Sequence, residues 1–105
     1  MSRAEHGPEL NAARVFAALA KHGVDYVLIG GVAAQAHGQM RTTFDLDILP
    51  RPDGANLQRL ARALQAIEAR ALKPGAEGLA LDAQTLPRAT IWQLSTRYGL
   101  IDVLH

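Results

Sequence analysis

The sequence predicts an α/β or α+β fold in which about three helices flank a small mixed sheet of about four strands. Two observations predict this class. Segments with helical periodicity alternate with segments of strand-forming residues along the chain, and hydrophobic residues make up 49% of the 105 residues, with 20% charged. That balance is typical of a globular domain. The chain has no cysteine, which excludes disulfide bonds, thiol nucleophiles and thiolate-bound zinc.

The first half of the chain predicts a helix, a strand and a short helix after an N-terminal tail. We expect residues 1–7 to be a flexible tail and residues 8–105 to form a single domain. Pro8 suits the first turn of a helix over residues 9–22, which Gly23 ends. Residues 26–29 are strand formers, and the alanine-rich residues 32–37 predict a short helix.

The second half predicts further strands around one long helix. Residues 43–49 alternate between polar and apolar side chains, as in a strand with one buried face. Asp53 can cap a helix over residues 55–72. Residues 79–88 are either a loop or a short strand, and residues 90–96 and 100–104 predict a hairpin. Trp92 and Tyr98 could stack on a nucleobase, although a Trp in an alternating strand usually belongs to the core.

Charge and hydropathy limit the partners of the chain. The formal net charge of +1 argues against a protein held on nucleic acid mainly by bulk charge. The opening MSRAEHGPEL lacks the basic-then-apolar pattern of a secretory signal, and no apolar run approaches the ~20 residues of a membrane helix. We therefore expect a cytoplasmic protein without a membrane partner.

Three carboxylates are the candidate catalytic and metal-binding residues. Asp45 and Asp47 lie two residues apart on a predicted strand and so share one face, where they repel each other unless a cation lies beside them. Asp102 is a lone charge in an apolar strand. If its strand neighbours that of Asp47, the three acids can hold two Mg²⁺ ions, which Mn²⁺ could replace. The alternative is a solvated sheet face without metal.

A glycine pair marks the candidate nucleotide-binding residues. Gly30 and Gly31 lie between a predicted strand and a predicted helix, where backbone amides can approach a phosphate. Arg41 and Thr43 precede the acidic pair and offer a guanidinium and a hydroxyl to phosphate oxygens. The glycines could equally form an ordinary turn, and Arg41 could form a salt bridge with the neighbouring aspartates.

These motifs resemble the signature of the DNA polymerase β-like nucleotidyltransferase superfamily. Ile29-Gly30-Gly31 is followed after thirteen residues by Asp45-Leu46-Asp47-Ile48, and the stretch GGVAAQAHGQMRTTFDLDI is similar to antibiotic and abortive-infection nucleotidyltransferases. The resemblance implies that Gly30 and Gly31 bind the triphosphate and that Asp45, Asp47 and Asp102 hold Mg²⁺. It also implies that Asp102 helps to activate the acceptor hydroxyl.

The expected function is therefore transfer of a nucleoside monophosphate from an NTP, with ATP as the expected donor, to a hydroxyl. The acceptor could be a small molecule, a tRNA or a protein, in an antibiotic-modifying or a toxin–antitoxin system. Family members continue past the third carboxylate, whereas this sequence stops three residues after Asp102. The resemblance therefore leads us to expect either a fragment or a minimal form that needs a protein partner or a second copy. The alternative is a catalytically silent nucleotide- or metal-binding module, similar to an antitoxin.

Overall fold

The computed structural model describes residues 10–30 and 46–105 of the chain. Within them the chain forms two α-helices, a 3₁₀ turn and a five-stranded sheet. In chain order the elements are α1 (Ala12–Lys21), β1 (Tyr26–Gly30), β2 (Leu46–Pro50), α2 (Gly54–Ala66), β3 (Arg70–Ala71), the 3₁₀ turn (Leu86–Arg88), β4 (Ile91–Thr96) and β5 (Gly99–Leu104). The mixed α+β class predicted from the sequence is thus confirmed, with different element counts in the described residues.

The sheet is mixed, and its strand order is β1-β2-β5-β4-β3. The central pair β2–β5 is parallel, whereas the other neighbours are antiparallel. The predicted hairpin is confirmed as β4 and β5, which pair from Ile91 opposite Leu104 to Thr96 opposite Gly99. The hairpin therefore brings β5 against β2, although many residues separate these two strands in the sequence.

Both helices pack on one face of the sheet. Val15 and Leu19 of α1 and Leu60 and Leu64 of α2 belong to the same core cluster as the inward-facing strand residues. Every second residue of β2, β4 and β5 contributes to this core: Leu46, Ile48, Trp92, Leu94, Ile101 and Val103. The residues between them point to the opposite side of the sheet, called the distal face below.

Helix α1 begins later than the sequence predicts. Leu10 and Asn11 are not helical, and Asn11 is the N-cap, whose side chain accepts a hydrogen bond from the Arg14 amide at 3.3 Å. The Asn11 amide donates to the carbonyl of Tyr98 at 2.7 Å. This hydrogen bond holds Asn11 against the β4–β5 turn in a non-helical conformation. The helix therefore begins at Ala12. The predicted end at Gly23 is confirmed.

Helix α2 ends earlier than predicted, and this part of the prediction was wrong. Asp53 caps the helix as expected, accepting from the Asn56 amide at 3.1 Å. The helix stops at Ala66, however, and Glu68 adopts a φ of 60°. The chain then turns back, and β3 pairs with β4. Ile67 and Ala71 are buried, so they continued the apolar stripe in the sequence without continuing the helix.

Other predictions have mixed outcomes. Residues 79–88 are a loop with a 3₁₀ turn at their end, so the strand alternative was wrong. Trp92 is buried, and its Nε1 donates to the Leu86 carbonyl at 2.8 Å, as expected of a core residue. The tail over residues 1–7, the helix over 32–37 and the first residues of the 43–49 strand lie outside the described residues. Among the described helices, none is both long and apolar enough to span a membrane.

Candidate functional site

One row of residues crosses four strands of the sheet. Asp47 on β2 is in register with Asp102 on the parallel strand β5. On the outer side of each aspartate, Gly30 of β1 pairs with Asp47, and Gln93 of β4 pairs with Asp102. We call these four residues the carboxylate row. Since neighbouring strands lie ~4.8 Å apart, the two aspartates are neighbours across the strands.

The carboxylates of the row belong to the distal face. Leu46 and Ile48 flank Asp47, Ile101 and Val103 flank Asp102, and all four flanking side chains are buried in the core. Because side chains alternate along a strand, Asp47 and Asp102 point away from the helices, and both are half-buried. The two acids therefore share one face of the sheet.

The register that aligns the aspartates follows from the apolar residues beside them. Leu46 pairs with Ile101, and Ile48 pairs with Val103, so that each core residue of β2 lies beside a core residue of β5. A slip by one residue would turn the aspartates into the core and the apolar side chains out of it. Burial of the aliphatic residues thus holds the two carboxylates side by side.

A β-bulge lies next to the row on β1. Leu28 pairs with Ile48 and Gly30 with Asp47, so Ile29 is an extra residue on β1 between these two pairs. Bulges bend a strand locally and are frequent beside functional sites. Here the bulge ends β1 with Gly30 opposite Asp47, and the predicted glycine pair therefore begins beside a carboxylate.

Part of the site predicted from the sequence lies outside the described residues. Gly31, Arg41, Thr43 and Asp45 belong to residues 31–45, and their predicted roles stay predictions. Of the predicted residues, the structure brings Gly30, Asp47 and Asp102 together. In residues 10–30 and 46–105, no group of three or more His, Asp or Glu side chains is arranged to hold a metal ion. Of the three predicted carboxylates, the described residues contain Asp47 and Asp102.

Gln93 is a polar neighbour that the sequence analysis missed. It is exposed on the distal face and pairs with Asp102. Its position between the buried residues Trp92 and Leu94 indicated an outward side chain, but the pairing with Asp102 depends on the hairpin register. Around the row lie large hydrophobic residues that are 39–59% exposed: Val27, Ile29, Leu49, Ile91 and Leu100.

A pocket of about 560 Å³ lies beside the carboxylate row, where β1 begins and β2 ends. Val27 and Leu49 line it and pair with each other on the distal face. Arg51 lies at the pocket, with Nη2 at 3.1 Å from Asp25 and Nε donating to Asp53 at 2.7 Å. The hydrogen bond to Asp53 and the charges of Asp53 and Asp25 raise the pKa of Arg51, so its side chain is a permanent cation.

Comparison with known proteins gives no family for this chain: no protein-family model matches it, and no curated protein matches it. The expected similarity to nucleotidyltransferases therefore depends on the motif residues and on their positions relative to one another. Of these positions, the structure describes the pairing of Asp47 with Gly30 and with Asp102.

Proposed function

We propose that this protein is a Mg²⁺-dependent nucleotidyltransferase that transfers a nucleoside monophosphate from an NTP to a hydroxyl acceptor. The observation that carries the proposal is the register of Asp47 with Asp102 on neighbouring parallel strands, both on the distal face. The sequence motif connects Asp45 and Asp47 only with each other, whereas the register connects the strand of Asp47 with the distant Asp102. Such an arrangement is costly for a plain sheet surface, because like charges directly opposite each other are destabilising.

The donor set fits Mg²⁺. Magnesium is bound in proteins by one or two carboxylates together with water and substrate phosphates, and Asp47 and Asp102 supply two half-buried carboxylates on one face. Asp45, two residues before Asp47 in the sequence, is the proposed third ligand. When bound, Mg²⁺ neutralises charge on the phosphates and on the leaving pyrophosphate.

The other residues of the proposed site bind phosphate and activate the acceptor. Gly30 ends β1 opposite Asp47, which supports a seat for the β- and γ-phosphates on the amides of Gly30 and Gly31. The acceptor oxygen attacks the α-phosphorus, the bond between that phosphorus and the bridging oxygen breaks, and pyrophosphate leaves. In this scheme Asp102 takes the proton of the acceptor hydroxyl. Arg41 and Thr43 are proposed as further phosphate ligands.

Incubation of the protein with α-phosphate-labelled NTPs, Mg²⁺ and a cell lysate tests the proposal. We expect label on an acceptor, and we expect Asp47→Asn and Asp102→Asn to abolish it. Glu77→Gln is the matched control, because Glu77 is an exposed acid in the loop after β3 and its loss should leave labelling unchanged.

Two outcomes contradict the proposal. Mg²⁺-dependent NTP binding without any labelled product would identify a silent binding module. NTP hydrolysis without labelling would identify a phosphohydrolase that uses the same carboxylates. Because donor and metal are both abundant in the cytoplasm, we propose that location, and an acceptor or partner protein from the same compartment is the expected labelled species.

A further inference from the structure

We propose that the pocket between the start of β1 and the end of β2 binds the nucleoside half of the nucleotide. This inference rests on the proposed function, because it assigns a second part of the same substrate. The first observation that supports it is the position of the pocket relative to Asp47. Leu49 lines the pocket and follows Asp47 by two residues on the same face of β2, a distance of about 7 Å along the strand. A ligand whose phosphates lie at Asp47 can therefore reach the pocket with its sugar and base.

The size and walls of the pocket suit a heterocycle. Its volume of about 560 Å³ lies within the range of ~300–1,000 Å³ usual for small-molecule sites. Val27, Leu49 and Pro50 form aliphatic walls, and Val27 is 59% exposed. Covering these side chains with the faces of a planar ring removes apolar surface from water.

The polar groups at the pocket favour an uncharged ligand part over a second anion. Arg51 and His105 both line the pocket, and the carboxylates of Asp25 and Asp53 lie within salt-bridge distance of the Arg51 guanidinium. Its charge is thereby already balanced. Tyr26 adds a phenol whose pKa is raised by burial, so it remains a hydrogen-bond donor at neutral pH. These groups match the neutral donors and acceptors at the edge of a nucleobase.

The pocket is held open by a buried side chain behind it. Asn56 of α2 is fully buried. It accepts from the Asp25 amide and donates to the carbonyls of Asp25 and Arg51, each at 2.8 Å. The Arg51 amide also donates to the Asp25 carbonyl at 3.0 Å. The two chain segments that form the pocket are thus fixed to each other and to α2, and binding need not order them.

Titration of the isotope-labelled protein with adenosine, guanosine, cytidine and uridine, without metal, tests this inference by NMR. We expect saturable amide shifts at Val27, Leu49 and Arg51 at millimolar concentration of at least one nucleoside. Val27→Trp fills the pocket and should weaken binding at least tenfold. Leu72→Trp is the matched control, because Leu72 is 47% exposed and does not line the pocket; it should bind as the unmodified protein does.

The nucleoside titration separates the pocket from the proposed metal site. Mg²⁺-tripolyphosphate, which has no nucleoside, should bind to Val27→Trp as it does to the unmodified protein, whereas Asp47→Asn should lose it and keep nucleoside binding. Absence of nucleoside shifts at Val27 and Leu49, or equal nucleoside affinity in Val27→Trp, would overturn the inference and leave the carboxylate row untouched. Loss of tripolyphosphate binding in Val27→Trp would also overturn it, because the two regions would then be one site.

Discussion

A Cβ atom built on Gly99 would lie 2.6 Å from the Cα of Leu10. Gly99 also has a φ of +119°, a backbone conformation that residues with a side chain rarely adopt. The turn between β4 and β5 therefore approaches the backbone before α1 more closely than any other residue type permits. The hydrogen bond from the Asn11 amide to the Tyr98 carbonyl, at 2.7 Å, depends on this approach. Gly99 begins β5, so the same contact supports the strand that carries Asp102.

We expect Gly99→Ala to destabilise the protein by about 3 kcal/mol, since backbone strain and overpacking both contribute. Urea unfolding monitored by circular dichroism measures the change. Gly54→Ala is the matched control: a Cβ at Gly54 meets nothing within 4 Å, and the residue lies in the first turn of α2. That variant should be unchanged or more stable by up to about 1 kcal/mol. Equal effects of the two substitutions would contradict the prediction.

The ends of the two helices show why only one could be predicted from the sequence. After α1, the amides of Gly23 and Val24 donate to the carbonyls of Ala20 and Leu19. After α2, the amides of Glu68 and Ala69 donate to Gln65 and Leu64 in the same pattern. Both ends form a Schellman motif, which requires a left-handed residue. The first has Gly23, which is visible in the sequence, whereas the second has Glu68, which gives no signal.

We expect Glu68→Gly to stabilise the protein by about 0.5–1 kcal/mol, because it removes the strain of a positive φ. Loss of the exposed contact between Glu68 and Arg97, at 3.7 Å, should cost little. Glu77→Gly is the control, since Glu68 is the one non-glycine residue with positive φ in the described part of the chain. That control should be destabilised by a few tenths of a kcal/mol. Chemical denaturation of both variants decides the sign.

The site was predictable from the sequence only up to the strand pairing. Strand alternation placed Asp47 on a polar face, and the apolar neighbours of Asp102 indicated a strand. Which strand lies beside which is a long-range property, because α2, β3 and β4 lie between β2 and β5 in the sequence. The pairing of Asp47 with Asp102, and of Gln93 with Asp102, therefore required the structure.

Asn56 is expected to be the polar residue most costly to remove. Asn56→Ala removes the hydrogen-bond partner of the Asp25 amide and of the Arg51 carbonyl, in a partly buried setting. The Asp25 carbonyl loses one of its two donors and keeps the Arg51 amide. We expect a loss of about 3 kcal/mol in the free energy of unfolding. Gln58→Ala, at an exposed position of the same helix, should change stability by less than about 0.5 kcal/mol. A loss in Asn56→Ala as small as that in Gln58→Ala would show that water replaces the amide.

Asp53 is expected to make stability depend on pH in the acidic range. The hydrogen bond from Arg51, and then that from the Asn56 amide, lower the pKa of Asp53. The folded state thus holds this proton less tightly than the unfolded state, so the contribution is present above the ordinary Asp pKa of about 3.9. It disappears as the pH falls through the lower folded-state value. Asp53→Asn keeps a capping oxygen without the charge.

Thermal unfolding of the unmodified protein and Asp53→Asn should differ at pH 7 and converge at pH 2.5, in low salt because the group is exposed. The unmodified protein should be the more stable of the two at pH 7. A difference that is the same at both pH values would show that the cap, and not the charge, determines the effect. Glu77→Gln, an exposed loop substitution, provides the baseline for loss of one surface charge.

Asp47→Asn should change stability in opposite directions without and with metal. Without metal, removal of one charge from the pair with Asp102 relieves repulsion across the strands, and the variant should be more stable by about 0.5 kcal/mol. At Mg²⁺ concentrations one hundred times the dissociation constant, the unmodified protein should gain about 2.7 kcal/mol, whereas the variant should gain little. Thermal unfolding with and without Mg²⁺ or Mn²⁺ measures both effects, with Glu77→Gln as the control that keeps the metal response. A variant that gains as much from metal as the unmodified protein would show that the cation binds elsewhere, since its ligands could not then include Asp47.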